Sequence, residues 1–263
     1  MNYAYVTTNL IDLNAKPEFN TERLSQVLFG EALKVHKETN GYCFVSQSDK
    51  YSGWVDKRFL YFIDMEKYNN LLTNKNYIIK SKTAELIADD DYCPIPYFLF
   101  YSTRLRLVES GDNFQLSYPG YPSVLIKKEH IIHIDEIEIT PEIIKNECMR
   151  FLGVPYLWGG VTPFGFDCSG FVKAVFKRYG YKLPRDTKDQ IKVGSEIDRG
   201  QIEKGDLLFF NRHVAIAISN KRYVHSSISG AGVRVNSLDK NDFNYRQDLD
   251  REFKIARRVI DAS

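Results

Sequence analysis

The sequence predicts a multidomain protein: two small all-β barrels followed by an α+β domain. Before about residue 140, short alternating or apolar runs are separated by turn residues, which is typical of small barrels rich in strands. After that point the apolar spacing becomes helical and is followed by a series of strands. We therefore assign the barrels to residues 1–62 and 63–138 and the α+β domain to residues 139–263.

The N-terminal half supplies the strand patterns of both predicted barrels. Apolar or alternating runs lie at 33–37, 42–45, 54–55, 77–79 and 98–101. Asp112-Asn113 and Pro119-Gly120 mark turns between such runs. The two barrels are expected to join near residues 64–67.

The C-terminal part begins with two predicted helices. Thr140 can cap the first, with Pro141 at its first position. The second begins at Cys168, has Asp167 as its natural N-cap and stops at Gly180. Four strands are predicted after it, at 206–210, 213–218, 223–226 and 233–235. Helices followed by antiparallel strands make an α+β domain.

Composition narrows the classes of function. The net charge is only +2, so no strong field attracts nucleic acid or an anionic membrane. No run approaches the roughly 20 apolar residues of a membrane helix. Residues 1–8 lack the basic start and apolar core of a signal peptide. We therefore expect a cytoplasmic protein, the alternative being an exported protein that has lost its signal. We also expect a monomer.

Cysteine and histidine spacing predicts neither a metal nor a cofactor. The four cysteines are Cys43, Cys93, Cys148 and Cys168, and none forms a CxxC pair. Cys43 and Cys93 fall in different predicted barrels, so free buried thiols are favoured over a bridge. His130 and His133 have an HxxH spacing, but they lie on a mixed apolar run, and we expect no metal there.

Cys168 is the candidate nucleophile. In the first turn of a helix, the helix dipole and free backbone N–H groups favour a thiolate and can hold an oxyanion. Asp167 opposes the thiolate by charge, so a partner base is required. A lone cysteine at a helix start is more often structural, and the assignment depends on its surroundings.

Two histidines on the predicted strands can supply that base. Placing His213 opposite Ser227 in a hairpin brings His225 onto the same face, one diagonal away, whereas a slip of one residue separates them. In the favourable register His213 can take the Cys168 proton and His225 can orient His213. Alternatively, either histidine is a half-buried strand residue.

The segment from about 140 to 237 carries blocks that resemble a known family. They are 151–153 (FLG), 155–160 (PYLWGG), 165–171 (GFDCSGF), 183–187 (LPRDT), 205–210 (GDLLFF), 213–216 (HVAI) and 224–227 (VHSS). In order and spacing they resemble the NlpC/P60 family of bacterial cell-wall cysteine peptidases. The resemblance implies a papain-like core with Cys168 as nucleophile, His213 as base and His225 as orienter. Ala215 and Ala217 depart from the usual pattern.

The same resemblance implies further site residues. Tyr156 is expected to help bind the oxyanion and Trp158 to line the substrate groove, although both could be packing anchors. The matching blocks also assign substrate binding to Asp167, Ser169 and Thr187.

The N-terminal region resembles bacterial SH3-like units, through Gly30-Glu31 and residues 51–55 (YSGWV). Two such units before this catalytic domain resemble the dipeptidyl-peptidase VI or YkfC-like branch, the γ-D-glutamyl-L-diamino acid endopeptidases. In that branch the first barrel reads a free N-terminal L-Ala amine. A buried ammonium requires carboxylates and other acceptors, and the candidates are Glu31, Tyr51 and Asp186.

The resulting hypothesis is hydrolysis of the bond after D-Glu in L-Ala-γ-D-Glu–diamino acid stem peptides from murein, during cell-wall recycling. One alternative is an amidase or acyltransferase on the same Cys-His core. Another is a cell-wall binding protein without catalytic activity.

Overall fold

The computed structural model describes residues 2–74, 76–88 and 94–260. The chain divides into two units, Met1–Ile137 and Glu138–Ser263. Cys43 is a buried free thiol, and Cys93, considered above as its partner, lies outside the described residues.

Unit 1 begins with one large antiparallel sheet. Its described strands are β1 (Tyr3–Val6), β2 (Leu10–Asn14), β3 (Arg23–Leu28), β4 (Ala32–Thr39), β5 (Tyr42–Ser46), β6 (Ser52–Asp56) and β7 (Leu60–Ile63), in the order β3-β2-β6-β5-β4-β1-β7. Alternation sets its faces, since Ile11 and Leu13 of β2 and Cys43 and Val45 of β5 all point into one buried cluster. The strand runs predicted at 33–37, 42–45 and 54–55 are confirmed.

A helix follows this sheet near residues 64–67, where the sequence predicts that two barrels join. Helix α1 spans Met65–Thr73, and the Asp64 carboxylate accepts a hydrogen bond from the Lys67 N–H at 2.8 Å. Asp64 is therefore an N-cap, a role that its position before Met65 and Glu66 permits.

The remainder of unit 1 contains shorter strands. They are β8 (Tyr77–Ile79), β9 (Thr83–Ala88), β10 (Phe98–Phe100), β11 (Arg104–Leu105), β12 (Leu107–Ser110), β13 (Asn113–Leu116), β14 (Val124–Lys127) and β15 (Ile131–His133). Among the described residues they form one sheet in the order β10-β9-β14-β13-β12 and another in the order β11-β8-β15. Tyr5 joins these strands to the first sheet, because its hydroxyl donates to the Pro119 carbonyl at 2.7 Å and its ring contacts Tyr118.

Unit 2 begins with both predicted helices. Helix α2 spans Pro141–Met149, and the Thr140 hydroxyl accepts from the Ile143 N–H at 3.2 Å, so the predicted cap is confirmed. A two-stranded ribbon, β16 (Val161–Thr162) and β17 (Gly165–Phe166), precedes helix α3 (Cys168–Arg178). Helix α3 begins at Cys168 with Asp167 as N-cap, as predicted, and Gly180 takes a φ of 89° beyond its end.

One sheet completes the described part of unit 2. Two short helices accompany it in the chain: α4 (Thr187–Gln190) precedes its strands, and α5 (Gln247–Glu252) lies between the last two. The strands are β18 (Ser195–Ile197), β19 (Leu207–Phe210), β20 (His213–Ala217), β21 (Arg222–Ser227), β22 (Gly232–Ser237) and β23 (Ile255–Arg258). The strand order is β18-β23-β19-β20-β21-β22. All four predicted strands are present, whereas β18, β23, α4 and α5 were not predicted. No helix in residues 2–74, 76–88 or 94–260 is both long and apolar enough to cross a membrane.

Candidate active site

The start of helix α3 is held by the carboxylate of Asp167. One oxygen accepts from the Gly170 N–H at 2.6 Å, and the other accepts from the Gly159 N–H at 3.0 Å. A Cβ on Gly170 would lie 2.1 Å from the Gly160 carbonyl oxygen, so only glycine permits this close approach. The Asp-Cys-Ser-Gly and Gly-Gly motifs therefore lock together and fix the first turn of α3.

Asp167 also forms a buried ion pair with Arg185. The guanidinium donates to both carboxylate oxygens, and it donates to the Ser169 hydroxyl at 2.9 Å. Arg185 is 3% exposed, Asp167 7% and Ser169 5%. These internal partners give Asp167 and Ser169 a positioning role in the structure, and direct substrate contact by either stays a prediction.

Cys168 is partly exposed at the N-terminus of α3, and its Sγ lies 3.8 Å from the Thr187 hydroxyl. Burial, and then the charge of Asp167, raises the pKa of the thiol, while hydrogen bonds from Thr187 and from the Val214 and Ser169 backbones oppose that rise. The Val214 contact places the start of β20 beside the sulfur. Cys168 therefore rests as a thiol that needs a nearby base.

His213 and His225 are hydrogen-bonded to each other, with 2.7 Å between His213 Nε2 and His225 Nδ1. Ile216 pairs with Val224 across the hairpin, and continuing that register sets His213 opposite Ser227, as predicted. Burial is the main cause that lowers the pKa of His213 to about 3 and that of His225 to about 4. Both imidazoles are consequently neutral at pH 7, so His213 is available as a base.

Asn236 is a member of the site that sequence reasoning missed. Its Oδ1 lies 2.8 Å from His225 Nε2, and its Nδ2 donates to the Asn244 carbonyl at 3.1 Å. The β22 residue opposite His225 is Arg234, so Asn236 lies one diagonal further along the same face. Alternation in Val233-Arg234-Val235-Asn236 could have given the face, but not the pairing.

Tyr156 lies close enough to Cys168 for the two groups to interact electrostatically. Burial first, and then Cys168 and Asp167, raises the pKa of the phenol to about 12. The hydroxyl therefore keeps its proton at neutral pH and can donate a hydrogen bond to a developing oxyanion.

The other predicted groove residues of unit 2 flank this centre. Trp158 directly precedes Gly159 and is 57% exposed. Asp186 stands immediately before helix α4 and forms an exposed ion pair with Lys188, 3.7 Å apart. Both side chains are accessible to a ligand.

Glu31 and Tyr51 lie in unit 1. The Gln47 amide donates to the Glu31 carboxylate at 2.6 Å, and Tyr51 packs partly against the core of the first sheet. Their predicted role in amine recognition stays a prediction.

The HxxH pair lies in separate surroundings. His130 Nδ1 is 2.9 Å from the Ser81 hydroxyl, and His133 Nδ1 accepts from the Asp135 N–H at 3.3 Å. Among the described residues, no group of three or more His, Cys, Asp or Glu side chains is arranged to hold a metal ion.

Within unit 2 the structure thus gathers the helix-borne thiol of Cys168, the His213–His225 pair, the Tyr156 hydroxyl and the Thr187 hydroxyl. A thiol beside a strand that carries an oriented, neutral imidazole can attack a carbonyl carbon and pass its proton to a leaving amine. The arrangement is suited to acyl transfer from an amide.

Two family models match the chain. Residues 153–252 match the NlpC/P60 family, and residues 13–60 match the bacterial dipeptidyl-peptidase Sh3 domain. The first match contains Cys168, His213, His225 and Asn236.

Two curated relatives match most of the chain. The gamma-D-glutamyl-L-lysine dipeptidyl-peptidase of Bacillus subtilis is 30% identical over 230 residues, which cover 81% of this chain and 75% of the relative. Dipeptidyl-peptidase 6 of Lysinibacillus sphaericus is 26% identical over 269 residues, with 94% and 95% coverage. The crystal structure of an NlpC/P60 family protein from Bacillus cereus superposes with a TM-score of 0.83 at 23% identity and covers 98% of this chain and 99% of that one. This last likeness concerns the fold alone.

Proposed function

Because the chain belongs to the NlpC/P60 family, we propose that it is a cysteine peptidase that hydrolyses the γ-D-glutamyl–diamino acid bond of peptidoglycan stem peptides. The observation that carries the reaction type is Cys168 at a helix start beside the strand that bears the hydrogen-bonded His213–His225 pair. The names of the two relatives support the bond cleaved.

The chain combines an SH3-like N-terminal domain with an NlpC/P60 catalytic domain. We propose three domains: an SH3-like barrel over residues 1–62, a second SH3-like barrel over residues 63–138 and the catalytic domain over residues 139–263.

The first half of the reaction forms a thioester. As Cys168 Sγ attacks the γ-carbonyl carbon of D-Glu, His213 takes the thiol proton. The Cys168 backbone N–H and the Tyr156 hydroxyl donate hydrogen bonds to the oxyanion of the tetrahedral intermediate. Protonated His213 then donates its proton to the amine of the diamino acid, which leaves as the C–N bond breaks.

The second half hydrolyses the thioester. His213, neutral again, accepts a proton from water as the water oxygen attacks the same carbonyl carbon. Collapse of the second tetrahedral intermediate breaks the C–S bond, returns the proton to Cys168 and releases L-Ala-γ-D-Glu. His225 holds His213 in orientation through both halves.

Substrate selection is proposed to depend on the free amine of L-Ala. An ammonium withdrawn from water needs acceptors, and Glu31, Tyr51 and Asp186 are the proposed ones. Trp158 and Thr187 would line the groove, supported by the exposure of Trp158 and by the Thr187–Cys168 contact. In intact wall this amine is amide-bonded, so it carries no ammonium charge for these residues to bind.

Acetylating the L-Ala amine of L-Ala-γ-D-Glu-L-Lys is expected to lower kcat/KM by at least about 100-fold, because it removes the ammonium charge that the carboxylates of Glu31 and Asp186 are proposed to bind. Competition between free and acetylated peptide, followed by mass spectrometry, measures this ratio. Asp186→Asn should reduce the preference for the free amine, whereas Asp189→Asn, an exposed neighbour on α4, should not. Equal rates on the two peptides would refute amine recognition.

A requirement for the free amine fits stem peptides already released from the wall. We therefore propose that the protein acts in the cytoplasm, in recycling of cell-wall peptides. We propose further that it acts as a monomer.

A further inference from the structure

Three polar side chains form a diagonal line across the face of the catalytic sheet. His213 lies on β20, His225 on β21 and Asn236 on β22, joined by contacts of 2.7 Å and 2.8 Å. His225 is fully buried, so each of its ring nitrogens needs a partner inside the protein.

The hydrogen bond between Asn236 and the Asn244 carbonyl fixes the donor and the acceptor in the other two hydrogen bonds of this line. The Asn244 backbone carbonyl can only accept, so the Asn236 atom bonded to it is the amide nitrogen. The Asn236 oxygen therefore faces His225 Nε2 and accepts. It follows that His225 carries its proton on Nε2 and leaves Nδ1 as an acceptor.

The proton position on His225 also fixes the one on His213. Because His225 Nδ1 accepts, His213 must donate through Nε2, which leaves the lone pair of the neutral imidazole on Nδ1. We infer that Asn236 is a positioning residue that sets the protons of both imidazoles so that Nδ1 of His213 is the general base. This inference rests on the proposed function for its catalytic meaning, but the proton positions can be measured without substrate.

The opposite arrangement shows what Asn236 prevents. A proton on His225 Nδ1 would face His213 Nε2, which would then have to accept and hold its own proton on Nδ1. That tautomer cannot take a proton from Cys168 through Nδ1. Losing the Asn236 oxygen would also leave a buried N–H unsatisfied, which removes the preference for the productive tautomer.

Among the described residues, two charged side chains act on both imidazoles. Arg246 and Asp248 influence both rings and form an ion pair with each other, 2.5 Å apart, so their opposite effects on the pKa of each imidazole partly cancel. The rings of Phe210 and Tyr223 pack beside His213 and His225 respectively. A carboxylate introduced at position 236 would therefore act on His225 directly.

Two substitutions of Asn236 separate the roles of acceptor and charge, and a third, at Asn241, is the control for added charge. Asn236→Leu removes the acceptor at similar size and is expected to lower kcat by about 10- to 100-fold, with KM changed less than about twofold. Asn236→Asp keeps the acceptor and adds a charge, which favours both imidazolium forms, so the acid limb of the kcat/KM profile should move up by about one pH unit or more. Asn241→Asp adds the same charge at an exposed position just after β22 and should leave the profile unchanged.

Nitrogen-15 NMR of histidine-labelled protein without substrate reads the tautomers directly. We expect both His213 and His225 to carry the proton on Nε2 at pH 7, and the Asn236→Leu variant to show a mixture or the reverse. A proton on Nδ1 of either ring in the unsubstituted protein would overturn the inference. So would wild-type tautomers together with wild-type kcat in Asn236→Leu.

Folding and function are separable in this test. If Asn236→Leu does not fold, the wild-type tautomers and the pH profile of Asn236→Asp still decide the matter, an unshifted acid limb counting against the inference. If the wild-type protein cleaves no stem peptide, the proposed function fails while the NMR result on Asn236 stands.

Discussion

Replacing Cys168 by serine is expected to lower kcat/KM on the free stem tripeptide by about four orders of magnitude or more. A serine hydroxyl is a far weaker acid than a thiol, so a neutral imidazole base removes its proton much less readily. The rate of peptide cleavage, followed by release of the diamino acid, measures the effect.

Cys43→Ala is the matched control, since Cys43 is a buried thiol in the first sheet of unit 1. It should keep the wild-type rate at temperatures well below unfolding, although it loses some buried contacts. Cys168→Ser with more than about one hundredth of the wild-type kcat/KM would exclude Cys168 as the nucleophile.

Breaking the Asp167–Arg185 pair should have the largest effect on stability. Arg185→Met leaves the Asp167 carboxylate buried without its cation, which typically costs about 3–5 kcal/mol in the free energy of unfolding. Because the same carboxylate caps α3, the position of Cys168 should suffer and kcat should fall as well. Urea denaturation and peptide kinetics on the same preparation test both effects.

The double variant Asp167→Asn/Arg185→Met removes both charges and should recover part of the stability lost in Arg185→Met. Lys192→Met breaks the exposed Lys192–Asp189 pair and should change stability little. If Arg185→Met unfolds at the same urea concentration as Lys192→Met, the ion pair does not hold the helix start.

Local patterns allowed much of the catalytic centre to be predicted from sequence. Asp167 directly before an apolar helical stripe placed Cys168 in the first turn of α3. Two neighbouring predicted strands indicated a hairpin. Requiring His213 and His225 to lie on the same face predicted the register that is found between β20 and β21. In each case the information lies in neighbouring residues.

The missed features depend on contacts that sequence spacing does not encode. Arg185 reaches Asp167 across 18 positions, and Asn236 meets His225 only because β22 pairs in one particular register. Strand β23 pairs with β19, which lies nearly 50 residues earlier in the chain. The sequence of one strand therefore does not predict its pairing with the other. Helix α4 is only four residues long, too short for a periodic signal.

Mass spectrometry of the products from L-Ala-γ-D-Glu-L-Lys and its diaminopimelate counterpart decides whether the protein is a γ-D-glutamyl–diamino acid peptidase. We expect two products, L-Ala-γ-D-Glu and the free diamino acid, from wild-type protein and neither from Cys168→Ser. Cleavage between L-Ala and D-Glu, no cleavage of either peptide, or transfer of the acyl group to an added amine without hydrolysis would refute this assignment.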